Sequence, residues 1–222
     1  MENKKLFVII GILSLILFAG FVQNEARQLN PDIVAGDLLF QDLDCGELCD
    51  AIEAVTPAVK GKKLSHIGMV VSKDDSLFVL EAIGKDVHLT RLKEFIRRNR
   101  DASGKPKIIV GRMKKEFRQL NKEAAAFAMK QLGTPYDETF QYDNGRYYCS
   151  ELIYDAYKIA NGGKEVFTLA PMTFKDPATS QTFPAWAAYY DAMHMFTPEG
   201  QPGCNPAGIA NGGKVDIVSV LY

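Results

Sequence analysis

Little in this sequence points to the commoner binding functions. Its 222 residues carry 26 Lys and Arg against 27 Asp and Glu, a formal net charge of −1. Such a balance draws no polyanion, and no arginine-rich helix stands out, so nucleic acid is not an expected partner. Its three histidines, His66, His88 and His194, form no regular metal-ligand pattern with the four cysteines. The expected chemistry therefore calls for no metal and no organic cofactor. Charge is absent from Leu6 to Gln23, a run rich in Leu, Ile, Val and Phe that follows Lys4 and Lys5. A basic start followed by an apolar core is an export signal. No cysteine follows it, so the attachment site of a bacterial lipid anchor is missing.

Residues 1–26 are thus read as a signal peptide or membrane anchor with the start of a linker, and 31–222 as the working domain. Small residues near Ala19-Gly20 and Glu25-Ala26 offer a mediocre cleavage site. A hydrocarbon core of about 30 Å needs around 20 helical residues, so Leu6–Val22 is marginal as an uncleaved span. Cleavage would free the domain and retention would tether it to the membrane. Either outcome places it in the bacterial envelope, in the periplasm or at the outer face of the inner membrane. With 47% apolar and 24% charged residues, the remainder fits one globular domain with a sizeable core.

Four cysteines in an exported chain raise the question of disulfides. Cys45 and Cys49 are four apart in a stretch that reads as helical, where a bridge is awkward. Cys204 has no obvious partner. The expectation is that these three are small buried residues.

Strands and helices alternate irregularly. Gly36 to Phe40 reads as a strand and Cys45 to Val55 as an amphipathic helix. Ile67–Val71, Leu77–Ala82 and Val87–Thr90 read as strands, then Leu92 to Asn99 as a charged helix and Lys107–Met113 as a strand. Glu116 to Leu132 and Tyr148 to Ala160 are helical, ended by Gly133 and by Asn161-Gly162-Gly163. The tail from Pro171 to Gly213 is rich in Pro, Gly and aromatics, with one helix expected at Trp186–Met195 before a closing strand, Val215–Tyr222. The mixture suits an α+β fold with an antiparallel sheet.

Chemistry concentrates on Cys149, which opens the amphipathic stretch Cys149-Ser-Glu-Leu-Ile-Tyr-Asp-Ala-Tyr157. A thiol at a helix N-terminus feels the positive end of the helix dipole. His66, in Ser65-His-Ile-Gly-Met-Val-Val71, is a suitable base upstream. If Lys73-Asp-Asp-Ser76 is the tip of a hairpin with Lys73 facing Ser76, Gly68 lies opposite Glu81. Glu81 and His66 are then diagonal neighbours, with Cβ atoms roughly 7–8 Å apart. A carboxylate there fixes the imidazole tautomer and leaves the other nitrogen to face a thiol. Asp86 and His88 compete for the third role, and His194 for that of base, although a packing role suits His194 better. Glu81 is itself unusual, because charged residues rarely enter apolar strands unpaired.

These motifs, taken in order, resemble a known family. Gly36-Asp-Leu-Leu-Phe40, Ser65-His-Ile-Gly-Met-Val-Val71, Glu81-Ala82, Gly133-Thr-Pro-Tyr-Asp137 and Tyr148-Cys-Ser-Glu-Leu152 are similar to the permuted papain-like hydrolases of the YiiX type. Those are relatives of the NlpC cell-wall peptidases and of the lecithin–retinol acyltransferase group. In ordinary NlpC enzymes the cysteine helix comes first; here it follows the other motifs, as in the permuted branch. The resemblance covers roughly residues 33–175 and implies a circularly permuted papain-like fold, its antiparallel sheet packed on the cysteine helix. It also implies Cys149 as nucleophile, His66 as general base and Glu81 as orienting residue. Tyr136 and Tyr148 lie beside the motifs and are candidates for shaping the substrate site.

The chemistry expected is acyl transfer through a thioester, with the backbone N–H of Cys149 as first oxyanion donor. Amide hydrolysis of cell-wall peptides is the favoured activity. A lipid acyl hydrolase or acyltransferase is the second expectation, and an inert binding protein on the same fold the third. Phe183, Trp186, Tyr189, Tyr190, Met193, Met195 and Phe196 of the tail either line an acyl groove or are core.

Overall fold

Short runs rich in Leu, Ile, Val and Phe, most of them buried, form six strands that pair in one antiparallel sheet. A computed structural model describes residues 33–222, so the expected export segment lies outside the described residues. The strands are β1 (Leu38–Gln41), β2 (His66–Lys73), β3 (Ser76–Ile83), β4 (Asp86–Arg91), β5 (Ile108–Met113) and β8 (Val215–Val220), in the order β4-β3-β2-β1-β5-β8. β2 and β3 form a hairpin in which Lys73 faces Ser76 and Met69 faces Leu80, the register expected from the turn. Asp74 and Asp75 both have positive φ, which gives the backbone the twist a two-residue hairpin needs.

One face of the sheet receives the helix α4 (Cys149–Ala160). Leu152, Ile153, Ala156 and Tyr157 of that helix are buried in a core with Ile67, Met69, Leu80 and Ala82 of the sheet. The helix α3 (Asn121–Lys130) packs beside α4 through Ala124 and Ala128, small residues that permit close approach. It is preceded by a 3₁₀ turn at Lys115–Leu120, so the single helix read from Glu116 to Leu132 is two elements. The short helix α2 (Leu92–Arg98) follows β4 directly and buries Leu92, Phe95 and Ile96. Val34–Tyr222 forms one compact unit.

Two expectations fail. Cys45 and Cys49 form a disulfide, with Cα atoms 5.3 Å apart. The reason is that Cys45 is outside the helix: α1 spans Glu47–Ala54, and Gly46, with φ +79°, turns the chain ahead of it. That turn brings the two Cα atoms into the ordinary range for a bridge. Cys204 is free and buried, as expected. The tail also holds more structure than its composition suggested. The helix α5 runs over Pro184–Ala192 and α6 over Pro206–Asn211, while β6 (Ala170–Pro171) pairs with β7 (Pro202–Gly203). His194 lies beyond the end of α5, exposed, with φ +55°, so it has neither the base role nor the packing role considered for it.

Candidate active site

Tyr148 caps α4 with an extended backbone, so Cys149 is the first helical residue and sits where backbone N–H groups lack intrahelical partners. The thiol is buried, with 7% exposure. His66, the first residue of β2, hydrogen-bonds Glu81, and the Cys149 side chain stands close enough to raise its basicity. The Glu81 contact is Nε2 to Oε2 at 2.6 Å, which leaves Nδ1 as the ring nitrogen for Cys149. Gly68 makes the carboxylate's position available: a Cβ there would meet Val79 Cγ1 at 2.4 Å and Glu81 Cβ at 3.2 Å.

Glu81 is fully buried and would be costly alone. It is instead held by four donors. Besides His66, Thr90 Oγ1 donates to Oε1, and Arg98 forks across both oxygens, Nη1 to Oε2 at 3.0 Å and Nη2 to Oε1. Burial alone pushes the carboxyl up, but the bonds and charges of His66 and Arg98 outweigh it and hold it at about 2. Burial likewise pulls the His66 imidazole down. Cys149 and then Glu81 outweigh that and lift it to about 9, so the ring is an imidazolium at pH 7. Asp86 and His88, the rival orienting pair, bond each other at 3.1 Å on β4 and are both partly exposed.

Cys149 opens into a cavity of about 160 Å³. Tyr136 and Tyr148 both line it, but the Tyr148 hydroxyl is engaged, accepting from the Cys204 N–H at 3.1 Å. Ser150 donates to the Cys204 carbonyl at 3.0 Å. The residues flanking Cys149 thus pin a tail segment over the site, which sequence reasoning missed. Burial pushes the Cys204 thiol up to about 12, so it is an inert neighbour. Asp137 builds the loop beside Tyr136, accepting from the backbone of Thr139 at 2.9 Å and of Gln141 at 2.8 Å. Gly36-Asp37 serves the fold: Asp37 accepts from Arg112 Nε at 2.7 Å and from the Val34 N–H at 2.9 Å. Of the tail aromatics, Trp186 and Tyr190 pack edge-to-face on Phe174 as a second core, whereas Phe196 is exposed.

Residues 32–219 match the sequence profile of the permuted papain-like amidase enzymes, the YaeF/YiiX, C92 family. The chain belongs to that family. Its fold is the circularly permuted papain-like one, as the order of its motifs implied. YiiX of Escherichia coli (strain K12), itself uncharacterized, is 32% identical over 127 residues, covering 57% of this chain and 58% of YiiX. This chain therefore aligns with under two thirds of that relative's length. The crystal structure described as metalloprotein YiiX from Escherichia coli O157:H7 superposes with a TM-score of 0.69 over 85% of this chain and 97% of that one. At 24% identity this likeness shows the fold.

Proposed function

We propose that this family member cleaves amide bonds of cell-wall peptides in the bacterial envelope, with Cys149 as nucleophile, His66 as general acid and base, and Glu81 as the positioning residue. The observation that carries this reading is His66 held through Nε2 by a buried, fully partnered carboxylate, with Cys149 at a helix start as a neighbour that raises its basicity. An imidazolium beside a cysteine favours the thiolate, the nucleophilic form. Attack forms the carbon–sulfur bond and moves the carbonyl π electrons onto oxygen, where the Cys149 N–H donates. His66 gives its proton to the amide nitrogen as the carbon–nitrogen bond breaks. The neutral imidazole then takes a proton from water, whose oxygen attacks the thioester and releases the acid and the thiol.

The export reading rests on Lys4, Lys5 and the uncharged run to Gln23. The Cys45–Cys49 bridge supports it, because disulfides persist in oxidising compartments. Fractionation that found the full-length chain soluble in the cytoplasm would refute it. Among the described residues no three His, Cys, Asp or Glu side chains lie together as a metal-ligand set. Intact-mass analysis after incubation with wall peptides and with phospholipids tests the substrate. An acyl adduct on Cys149 from peptides, absent in Cys149→Ala, is expected. An adduct from phospholipids alone would make the protein a lipid acyl hydrolase. A Cys149 that also resists thiol reagents would make it a binding protein.

A further inference from the structure

Glu151 is a buried acid that the hydrolytic steps do not use. It stands on α4, two residues after Cys149, and is 1% exposed. Its Oε1 accepts from the Asp143 N–H at 2.9 Å, while Oε2 has no hydrogen-bond partner among the described residues. The charged groups facing it are Asp137 and Asp143, from the loop before α4, and Asp155, one turn along the helix. Tyr147, Tyr148 and the Cys204 thiol are its uncharged titratable neighbours. Lys158 instead donates to the Tyr142 hydroxyl at 3.2 Å. An ionised Glu151 would leave a charged oxygen bare in the interior beside carboxylates, so this site accommodates the neutral acid. Burial, against the bond from Asp143 and together with Asp137 and Asp155, pushes it up to about 8.

The bond to Asp143 matters because of the loop it holds. Phe140 and Asp143 both have positive φ, +52° and +62°, a conformation unfavourable for a bulky residue such as Phe. Asp137 secures the start of the loop through the Thr139 and Gln141 N–H groups, and Glu151 secures it further on. Phe140 is thereby kept in the cavity wall, edge-on to Trp186 with 5.5 Å between centroids. Resting on the reading of Cys149 as nucleophile, we propose that Glu151 is a positioning residue: as a neutral acid it latches the strained loop 137–147 onto α4 and sets Phe140 in the substrate cavity, a hold that weakens as the pH rises. The sign follows from linkage. Opening the loop to water returns Glu151 to its ordinary 4.5, so the closed form is favoured below 4.5 and loses ground with each pH unit up to about 8.

Hydrogen exchange of the Asp143 amide reads this equilibrium. Its protection factor should fall about tenfold per pH unit between about pH 5.5 and 7.5 in the native chain, and stay level in Glu151→Gln, which is neutral throughout. Asp155→Asn removes one facing charge and should end the fall at a lower pH. Glu53 of α1 is the other carboxyl raised toward this range, by burial and Asp42, to about 7; in Glu53→Gln the fall should persist. With wall peptides as substrate, Glu151→Ala should raise KM about two- to tenfold at unchanged kcat, the worth of one net hydrogen bond, and Glu151→Gln should restore it. A level protection factor in the native chain, a fall shared by the core amides of β2, or a KM as high in Glu151→Gln as in Glu151→Ala overturns the proposal. Wall peptides left uncleaved and a Cys149 that iodoacetamide cannot modify defeat the nucleophile reading instead, and the slope at Asp143 still decides the latch.

Discussion

Replacing Glu81 with glutamine removes one charge from the site and almost no volume. In the native protein His66 is lifted to about 9, against burial, in part by its 2.6 Å bond to the Glu81 carboxylate. A hydrogen bond to a charged group is worth roughly 1.5–3 kcal/mol, and 1.36 kcal/mol corresponds to about one pH unit. In Glu81→Gln the imidazole is therefore expected to titrate about 1–2 pH units lower. At pH 8 the imidazolium population, and with it amide turnover, should fall roughly two- to tenfold from protonation alone. NMR titration of the His66 ring measures the shift directly, and kcat/KM against pH should show its alkaline limb moving by the same amount. The sign carries over to stability. A pKa raised above the ordinary 6.5 contributes stability that is fully present below 6.5 and lost as the pH rises through 9. The drop in urea midpoint between pH 6 and pH 9.5 should accordingly be smaller in Glu81→Gln than in the native protein. A His66 titration left at about 9 would refute the reasoning and return the orienting role to another group.

Three further outcomes follow from the same contacts. Gly68→Ala places a methyl within 2.4 Å of Val79 Cγ1 and 3.2 Å of Glu81 Cβ; it should destabilise the domain by about 1–3 kcal/mol in urea and displace the carboxylate enough to lower turnover. Arg98→Met leaves a fully buried carboxylate with one pair of charged hydrogen bonds fewer; denaturant unfolding should show a loss of roughly 2–3 kcal/mol, below the full cost of splitting a buried pair because the guanidinium is partly exposed. Cys45→Ser closes no loop between residues 45 and 49, and the chain-entropy estimate for so short a loop is about 2 kcal/mol; equal urea midpoints for the native protein and the variant, both without reductant, would contradict it.

Local geometry explains which parts were legible beforehand. The β2–β3 register follows from a two-residue turn and the period of two along each strand, so Lys73 facing Ser76 settles that His66 and Glu81 share a face. Cys149 was recognisable because an amphipathic run begins at it; the structure starts the helix there rather than at Tyr148. Arg98 was not, since it reads as one more surface charge beside Arg97. Only the path of α2, turning directly out of β4, carries it back to a carboxylate 17 positions earlier. The disulfide was misjudged through a helix boundary two residues too early. The tail gave the weakest signal. Its Pro- and Gly-rich stretch has no periodicity, the two-residue ribbon pairs Ala170 with Gly203 and Pro171 with Pro202, and the bonds linking Tyr148 and Ser150 to Cys204 are contacts across more than fifty positions.

The sheet order has a consequence for how the chain is made. β5 lies between β1 and β8, and β8 is the last strand of the sequence. Until residues 215–220 arrive, Ile108, Ile109 and Val110 lie in a strand with one row of N–H and C=O groups unpaired, an apolar edge of the kind that recruits foreign strands. The active site would by then be nearly assembled, for Cys149, His66, Glu81 and Arg98 all precede β8. A chain truncated just before Val215 would therefore keep its catalytic groups and be lost to aggregation.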